Sequence, residues 1–134
     1  MPHVDITVIG KAPNAEQKAA LFKGVTDLMV DVLGRARKSV VVSIAPGEPS
    51  NWSVAGDPQS RDAVLGLQVV LKVLAGTGSD EQKAAMVKQT TDLLTKVLGK
   101  PTMPLYMTFE EVPSAQWGFD GRTVAEIAKH PQAT

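Results

Sequence analysis

The sequence predicts an α/β (α+β) fold in which one β-α-β unit is written twice, giving a four-stranded mixed sheet with two helices on one face. Three observations predict it. EQKAALFKGVTDLMVDVLGR (16–35) and EQKAAMVKQTTDLLTKVLGK (81–100) match at 12 of 20 positions, 65 residues apart. The same offset, without a gap, pairs Asn14 with Ser79, Trp52 with Trp117 and Gly56 with Gly121. Within each copy the apolar residues recur first at every second position and then at helical spacing, the pattern of a strand followed by a helix.

The elements follow in the same order in both copies. A first strand spans about 3–9, where Val4, Ile6 and Val8 alternate with His3, Asp5 and Thr7. Its counterpart sets Leu67, Val69, Leu71 and Val73 against Gln68 and Lys72. A helix follows at about 15–33 and 80–98. Asn14 and Ser79 are good N-caps, and Gln17 or Gln82 three residues on completes a capping box. Leu21, Val25, Leu28 and Val32 form one apolar stripe, repeated by Met86, Thr90, Leu93 and Val97 with one polar lapse. Asp27 and Asp92 belong to the solvated face, and Gly34 and Gly99 close the helices as C′ glycines. A second strand comes next, KSVVVSIA (38–45) and LYMTFEE (105–111), and a loop with Pro and Trp closes each copy. The expected organisation is therefore a module over 2–56, a linker over 57–66, a second module over 67–121 and a tail over 122–134, together one compact domain. RTVAEIAKH (122–130) reads as a short helix stopped by Pro131.

Strand, helix, strand within one copy makes the two strands parallel, with a right-handed crossover. The face of the sheet away from the helices is expected to need a cover, because Ile, Val, Met and Tyr populate both sides of the strands; oligomerisation would supply it.

Composition removes several function classes. The 134 residues are 43% hydrophobic and 21% charged, enough for a buried core. Fourteen basic residues balance fourteen acidic ones, which argues against a nucleic-acid or anionic-membrane partner. There is no cysteine, so thiolate chemistry and cysteine-held metals are out, and two distant histidines, His3 and His130, do not suggest a metal cluster. No apolar run is long enough to span a bilayer and no signal-peptide pattern opens the chain, so a cytoplasmic protein is expected.

The chemically suggestive residue is the proline after the initiator methionine. With Met1 removed, as a small second residue favours, Pro2 is a free secondary amine. A base works best when its pKa lies near the working pH, and an apolar cavity lowers an amine's pKa by disfavouring its cation. If Met1 stays, the nitrogen is an amide and no base.

Pro2, the gapless duplication, the EQK helix with its Leu-Gly end and the EVPSAQWGFDG stretch (111–121) together resemble the 4-oxalocrotonate tautomerase family, and the repeat resembles the fused members of that superfamily. The resemblance covers about 2–56 and 67–121. It implies a tautomerase/MIF-like fold, a trimer of fused subunits and no cofactor. It also implies a mechanism in which the amino-terminal proline moves a proton between oxygen and carbon of an enol, cations hold the substrate carboxylate, and an aromatic residue of the last loop shapes the pocket.

Carried over residue by residue, the catalytic position falls on Pro2, whose counterpart Leu67 has no amine, so each subunit is expected to hold one competent site. The first family arginine has Lys11 of GKAP (10–13) nearest to it, against no cation in GTGS (76–79). The second falls on Val41 and Tyr106. Lysine offers a point charge without the guanidinium fork, and Tyr106 one uncharged hydrogen bond. Trp52 and Trp117 keep the aromatic position, as pocket wall or as core filler. Lys11, Tyr106 and Trp117 are thus the candidate substrate contacts, with Arg35, Arg37, Arg61 and Arg122 as other sources of cation. A small 2-hydroxy-enoate or related 2-oxo acid, best a monocarboxylate, suits this set. The alternatives are a non-catalytic oligomeric binding module, or a hydratase or dehalogenase with Glu110 or Glu111 activating water.

Overall fold

A computed structural model describes residues 2–59 and 64–131. Its central sheet consists of β1 (His3–Gly10), β2 (Val41–Gly47), β5 (Leu65–Leu74) and β6 (Tyr106–Val112), in the order β2-β1-β5-β6. Helices α1 (Ala15–Asp31) and α2 (Asp80–Leu98) complete two β-α-β units. Two small hairpins, β3 (Ser53–Val54) with β4 (Asp57–Pro58) and β7 (Gly118–Phe119) with β8 (Arg122–Thr123), follow β2 and β6. A short helix α3 (Val124–Lys129) ends the described chain. The predicted mixed sheet is therefore present: β1 with β2 and β5 with β6 are parallel, while β1 and β5 at the centre are antiparallel.

The register carries the repeat into space. His3 pairs with Val41, and Gln68 with Tyr106, so both parallel pairs use the same spacing. Asp5 lies opposite its own repeat partner Val70, which puts a pseudo-twofold axis between the two central strands.

Both capping boxes form. Asn14 Oδ1 accepts from the Gln17 amide at 2.8 Å, and Ser79 Oγ from the Gln82 amide at 3.1 Å. Each capping glutamine also donates through Nε2 to the last turn of the other helix, Gln17 to the Val97 carbonyl and Gln82 to the Val32 carbonyl, both at 3.2 Å. The helices are thereby tied head to tail, once at each end.

The buried helical row differs from the expected stripe. Leu21, Val25 and Met29 of α1, continued by Leu33 beyond its end, and Met86, Thr90 and Leu94 of α2 are the buried residues. Leu28, Val32, Leu93 and Val97 are only partly buried. The reason is that the helices lie side by side, so one flank of each stripe faces the other helix and not the sheet. Gly24 permits the approach: a Cβ there would come within 2.7 Å of the Leu93 side chain. The first helix also ends earlier than its glycine suggested, with Val32 as cap and Gly34 (φ +66°) two residues beyond, whereas Gly99 itself caps α2.

Three other boundaries moved. Second strands start at Val41 and Tyr106 because turns precede them, in the first copy a 3-10 turn at Arg37–Ser39. In the stretch expected as linker, Asp57–Pro58 belongs to a hairpin and Leu65 already to β5. Arg61 and the rest of 60–63 lie outside the described residues, as do Met1 and 132–134. The expected tail helix covers 124–129.

The open face of the sheet mixes polar and apolar side chains. Val4, Ile6, Val8, Leu67, Val69, Leu71 and Val73 are buried against the helices, with Met107 and Phe109 partly buried on that side. The alternate positions carry His3, Asp5, Thr7, Ser43, Gln68, Lys72, Thr108 and Glu110 together with Ile9, Val70, Leu74 and Val112, and Val41 and Tyr106 are its exposed large apolar side chains.

Candidate active site

Pro2 is buried at the start of β1, and its carbonyl accepts from the Val41 amide at 3.2 Å, extending the parallel ladder by one rung. It lines a cavity of about 540 Å³ together with His3, Lys38, Ser39, Val41, Trp117 and Phe119. That volume lies in the range of small-molecule sites.

The topology explains this membership. Parallel pairing of β1 with β2 sets the turn before β2, carrying Lys38 and Ser39, beside Pro2. β5 runs antiparallel to β1, so Lys72 near its end lies opposite His3; β6, parallel to β5, ends on the same side. The hairpin that follows β6 thus falls over Pro2 and brings Trp117 and Phe119 from the second copy.

By the pseudo-twofold, a second cavity of about 300 Å³ lies at the other end of the sheet. Trp52 and Val54 of the first copy lie there with Leu67, Gln68, Met103, Pro104 and Tyr106. These are the repeat partners of Trp117, Phe119, Pro2, His3, Lys38, Ser39 and Val41. Proline, histidine and lysine are here replaced by leucine, glutamine and methionine.

Of the residues expected at one site, the structure brings Trp117 to Pro2. Within one chain, Tyr106 lines the Leu67 cavity and Lys11 a smaller pocket of about 200 Å³ with Ala12, Gln17, Val64, Leu65 and Leu98. The described arginines do not line the Pro2 cavity. Arg37 pairs with Asp27 at 2.7 Å, Arg35 donates to the Leu33 carbonyl at 3.2 Å, and Arg122 donates to the carbonyls of Glu126 and His130. Glu111 pairs with Lys83 at 3.1 Å, and neither it nor Glu110 lines that cavity. Asp92 pairs with Lys88 on the solvated helix face.

Sequence reasoning missed Lys38, Phe119 and the place of His3 in the cavity. For Lys38 a signal existed, since it stands just before the strand that pairs with Pro2. His3 pointed outward in the alternation beside Pro2, which places it on the face where the cavity opens. Its Nε2 lies 3.0 Å from Asp5 Oδ1 and 3.3 Å from Ser43 Oγ. Asp5 is held below the ordinary carboxylate value, first by the Ser43 hydroxyl and then by the charges of His3 and Lys72, against burial, which pushes it up.

Among the described residues no group of three or more His, Cys, Asp or Glu could hold a metal ion, and no helix is long and apolar enough to cross a membrane.

The chain is similar to known proteins in sequence and in fold. The chain is 42% identical over 57 residues to a probable tautomerase of Dickeya dadantii, covering 42% of this chain and 85% of that protein. It is 28% identical over 124 residues to the MIF-like protein mif-2 of Caenorhabditis elegans, covering 92% and 97%. Among solved structures, native fused 4-OT superposes with a TM-score of 0.81 at 21% identity, over 94% of this chain and 98% of the other. The family model described as "Tautomerase enzyme" matches residues 2–61 and again 69–127. Two consecutive matches, spanning nearly all of both copies, establish that the chain belongs to the tautomerase family, as a fused protein with two tandem β-α-β modules.

Proposed function

We propose that the chain is a cofactor-independent tautomerase that moves a proton between oxygen and carbon of a small 2-hydroxy-enoate, giving the 2-oxo acid, with the amino-terminal nitrogen of Pro2 as acid and base. The observation that carries this reading is the Pro2 cavity: Pro2, a rigid secondary amine once Met1 is removed, stands among Val41, Trp117 and Phe119, with Lys38 as the lysine on its wall. Apolar walls and a neighbouring ammonium both disfavour the prolinium cation, which favours a neutral amine able to act as base. The amine takes the enol O–H proton as the new C=O forms. The enol double-bond electrons then accept that proton at carbon from the prolinium, so no atom is gained or lost. Lys38 attracts the substrate carboxylate, and the two aromatic rings hold the planar enol and exclude water.

One charged lysine without an arginine fork suits a monocarboxylate better than a dicarboxylate. Fused 4-OT has been solved as a trimer, and we propose the same assembly here, to be read as a mass of three 14.2 kDa chains by light scattering. The functional test is ultraviolet-monitored ketonisation of phenylenolpyruvate, after intact mass has established that Met1 is gone. Pro2→Ala should lower kcat/KM by about 10²–10⁴-fold. Equal rates for variant and wild type would remove Pro2 from the mechanism. Absence of turnover by the processed wild type would favour the non-catalytic binding module.

A further inference from the structure

We propose that His3, oriented by Asp5 and Ser43, is a second contact for the substrate carboxylate in the Pro2 cavity, so that an imidazolium and the Lys38 ammonium together do the work of an arginine fork. The substrate class rests on the tautomerase reading above; the binding does not.

The hydrogen bonds fix how the ring is used. Ser43 Oγ donates its proton to Asp5 Oδ1, the oxygen that His3 Nε2 approaches at 3.0 Å. The serine proton is therefore spent, and Nε2 is the side that carries hydrogen toward the carboxylate. No Ser-His nucleophile arises, because both groups serve the same aspartate oxygen. Nδ1 is the ring nitrogen left over, and His3 is among the residues that line the cavity. In the imidazolium form Nδ1 is a charged N–H donor, and donors of this kind make the stronger hydrogen bonds to carboxylates.

The charges around the ring allow this. Asp5 on β1 holds the Nε2 side of the ring. Lys72 on β5, with Nζ 3.5 Å from Asp5 Oδ2, balances the aspartate and keeps it from repelling an incoming anion. β2 contributes the Ser43 hydroxyl, and the turn before it Lys38. Glu110 is paired in register with Lys72, one strand farther out.

The second copy acts as an internal control. At the positions of His3, Asp5, Ser43 and Lys72 it has Gln68, Val70, Thr108 and Thr7, on the same register and the same backbone frame. The His–Asp–Ser group is therefore not required to build the β-α-β sheet. It occurs only in the copy that has the proline and the lysine.

The test reads binding without turnover. With Trp52→Phe as background, Trp117 is the sole tryptophan and reports on the Pro2 cavity by fluorescence. Protein shown by intact mass to start at Pro2 is titrated with 3-phenylpropanoate and with its neutral amide. His3→Gln installs the residue the second copy already accommodates, so folding is retained. It should weaken the acid about tenfold, the value of one partly exposed charge-assisted bond, and leave the amide unchanged. Asp5→Asn should shift the acid in the same direction. With phenylenolpyruvate, His3→Gln should raise KM more than it lowers kcat. Equal effects on acid and amide, unchanged acid affinity, or failure of the wild-type cavity to prefer the acid would each overturn the proposal. A Pro2→Ala enzyme as active as wild type would refute the tautomerase mechanism and leave these affinities as they are.

Discussion

Thr90 is the polar lapse in the second apolar stripe, and replacing it with valine should stabilise the protein. Its side chain lies in the middle of α2, 1% exposed, between Met86 and Leu94, and its Oγ1 has no hydrogen-bond partner. The repeat supplies the experiment's template, because the equivalent residue of α1 is Val25, fully buried in the same setting. Valine and threonine differ little in volume and in helix propensity, so the main change is release of a desolvated hydroxyl. Burying such a group without a partner costs about 1–3 kcal/mol by protein mutational data. An unfolding entropy of about 2.1 cal/mol/K per residue then converts a gain of about 1.5 kcal/mol into a rise in Tm of about 5 °C for a chain of this size. Urea unfolding followed by circular dichroism, at one fixed chain concentration because assembly also contributes to stability, should show a higher midpoint with an unchanged slope. The reciprocal change, Val25→Thr, should lose a similar amount. If Thr90→Val leaves the midpoint where it is or lowers it, the hydroxyl is hydrogen-bonded in solution, the Met86 carbonyl one turn back being the nearest acceptor by helix geometry, and the reasoning fails.

Other outcomes follow from the same coordinates. Gly10 has φ +105°, and a Cβ there would overlap the Val64 carbonyl oxygen, so Gly10→Ala should cost roughly 2–4 kcal/mol in urea unfolding; a change below a few tenths would show that the β1 end rearranges freely. Asp5 has a folded pKa below its unfolded value, so its contribution is fully present above the unfolded value and is lost as pH falls through the folded one. The wild type should therefore lose stability on acidification below about pH 4, and Asp5→Asn should flatten that slope. An identical slope in the variant would show that Asp5 is not a source of it.

Much of this protein was legible in the one-dimensional pattern because the information is local or duplicated. The alternation of Val4, Ile6 and Val8, the Asn14–Gln17 and Ser79–Gln82 capping boxes and the common offset are satisfied by residues a few positions apart, and hydrogen bonds of that range form wherever the chain folds. The same locality explains the errors in the helical stripes. A period of 3.6 identifies an apolar flank, but whether Leu28 or Met29 is buried depends on the second helix lying alongside the first, which no single helix encodes. Cross-strand neighbours are likewise not encoded by one strand: the register places Asp5, Ser43 and Lys72 together on the open face.

The sequence by itself determined the duplicated β-α-β architecture, the presence of Pro2 in one copy against Leu67 in the other, and the family, since each rests on residue identity and spacing. Only the tertiary structure decided who stands beside that proline. The antiparallel junction of β1 and β5 carries the second copy's hairpin across the sheet to the first copy's start, so Trp117 and Phe119 come from more than a hundred residues away. The parallel junction of β1 and β2 brings Lys38, and within one chain leaves Lys11 and Tyr106 in other cavities. Strand direction and register are properties of pairing between distant segments, and a site assembled by that pairing cannot be read from either segment alone.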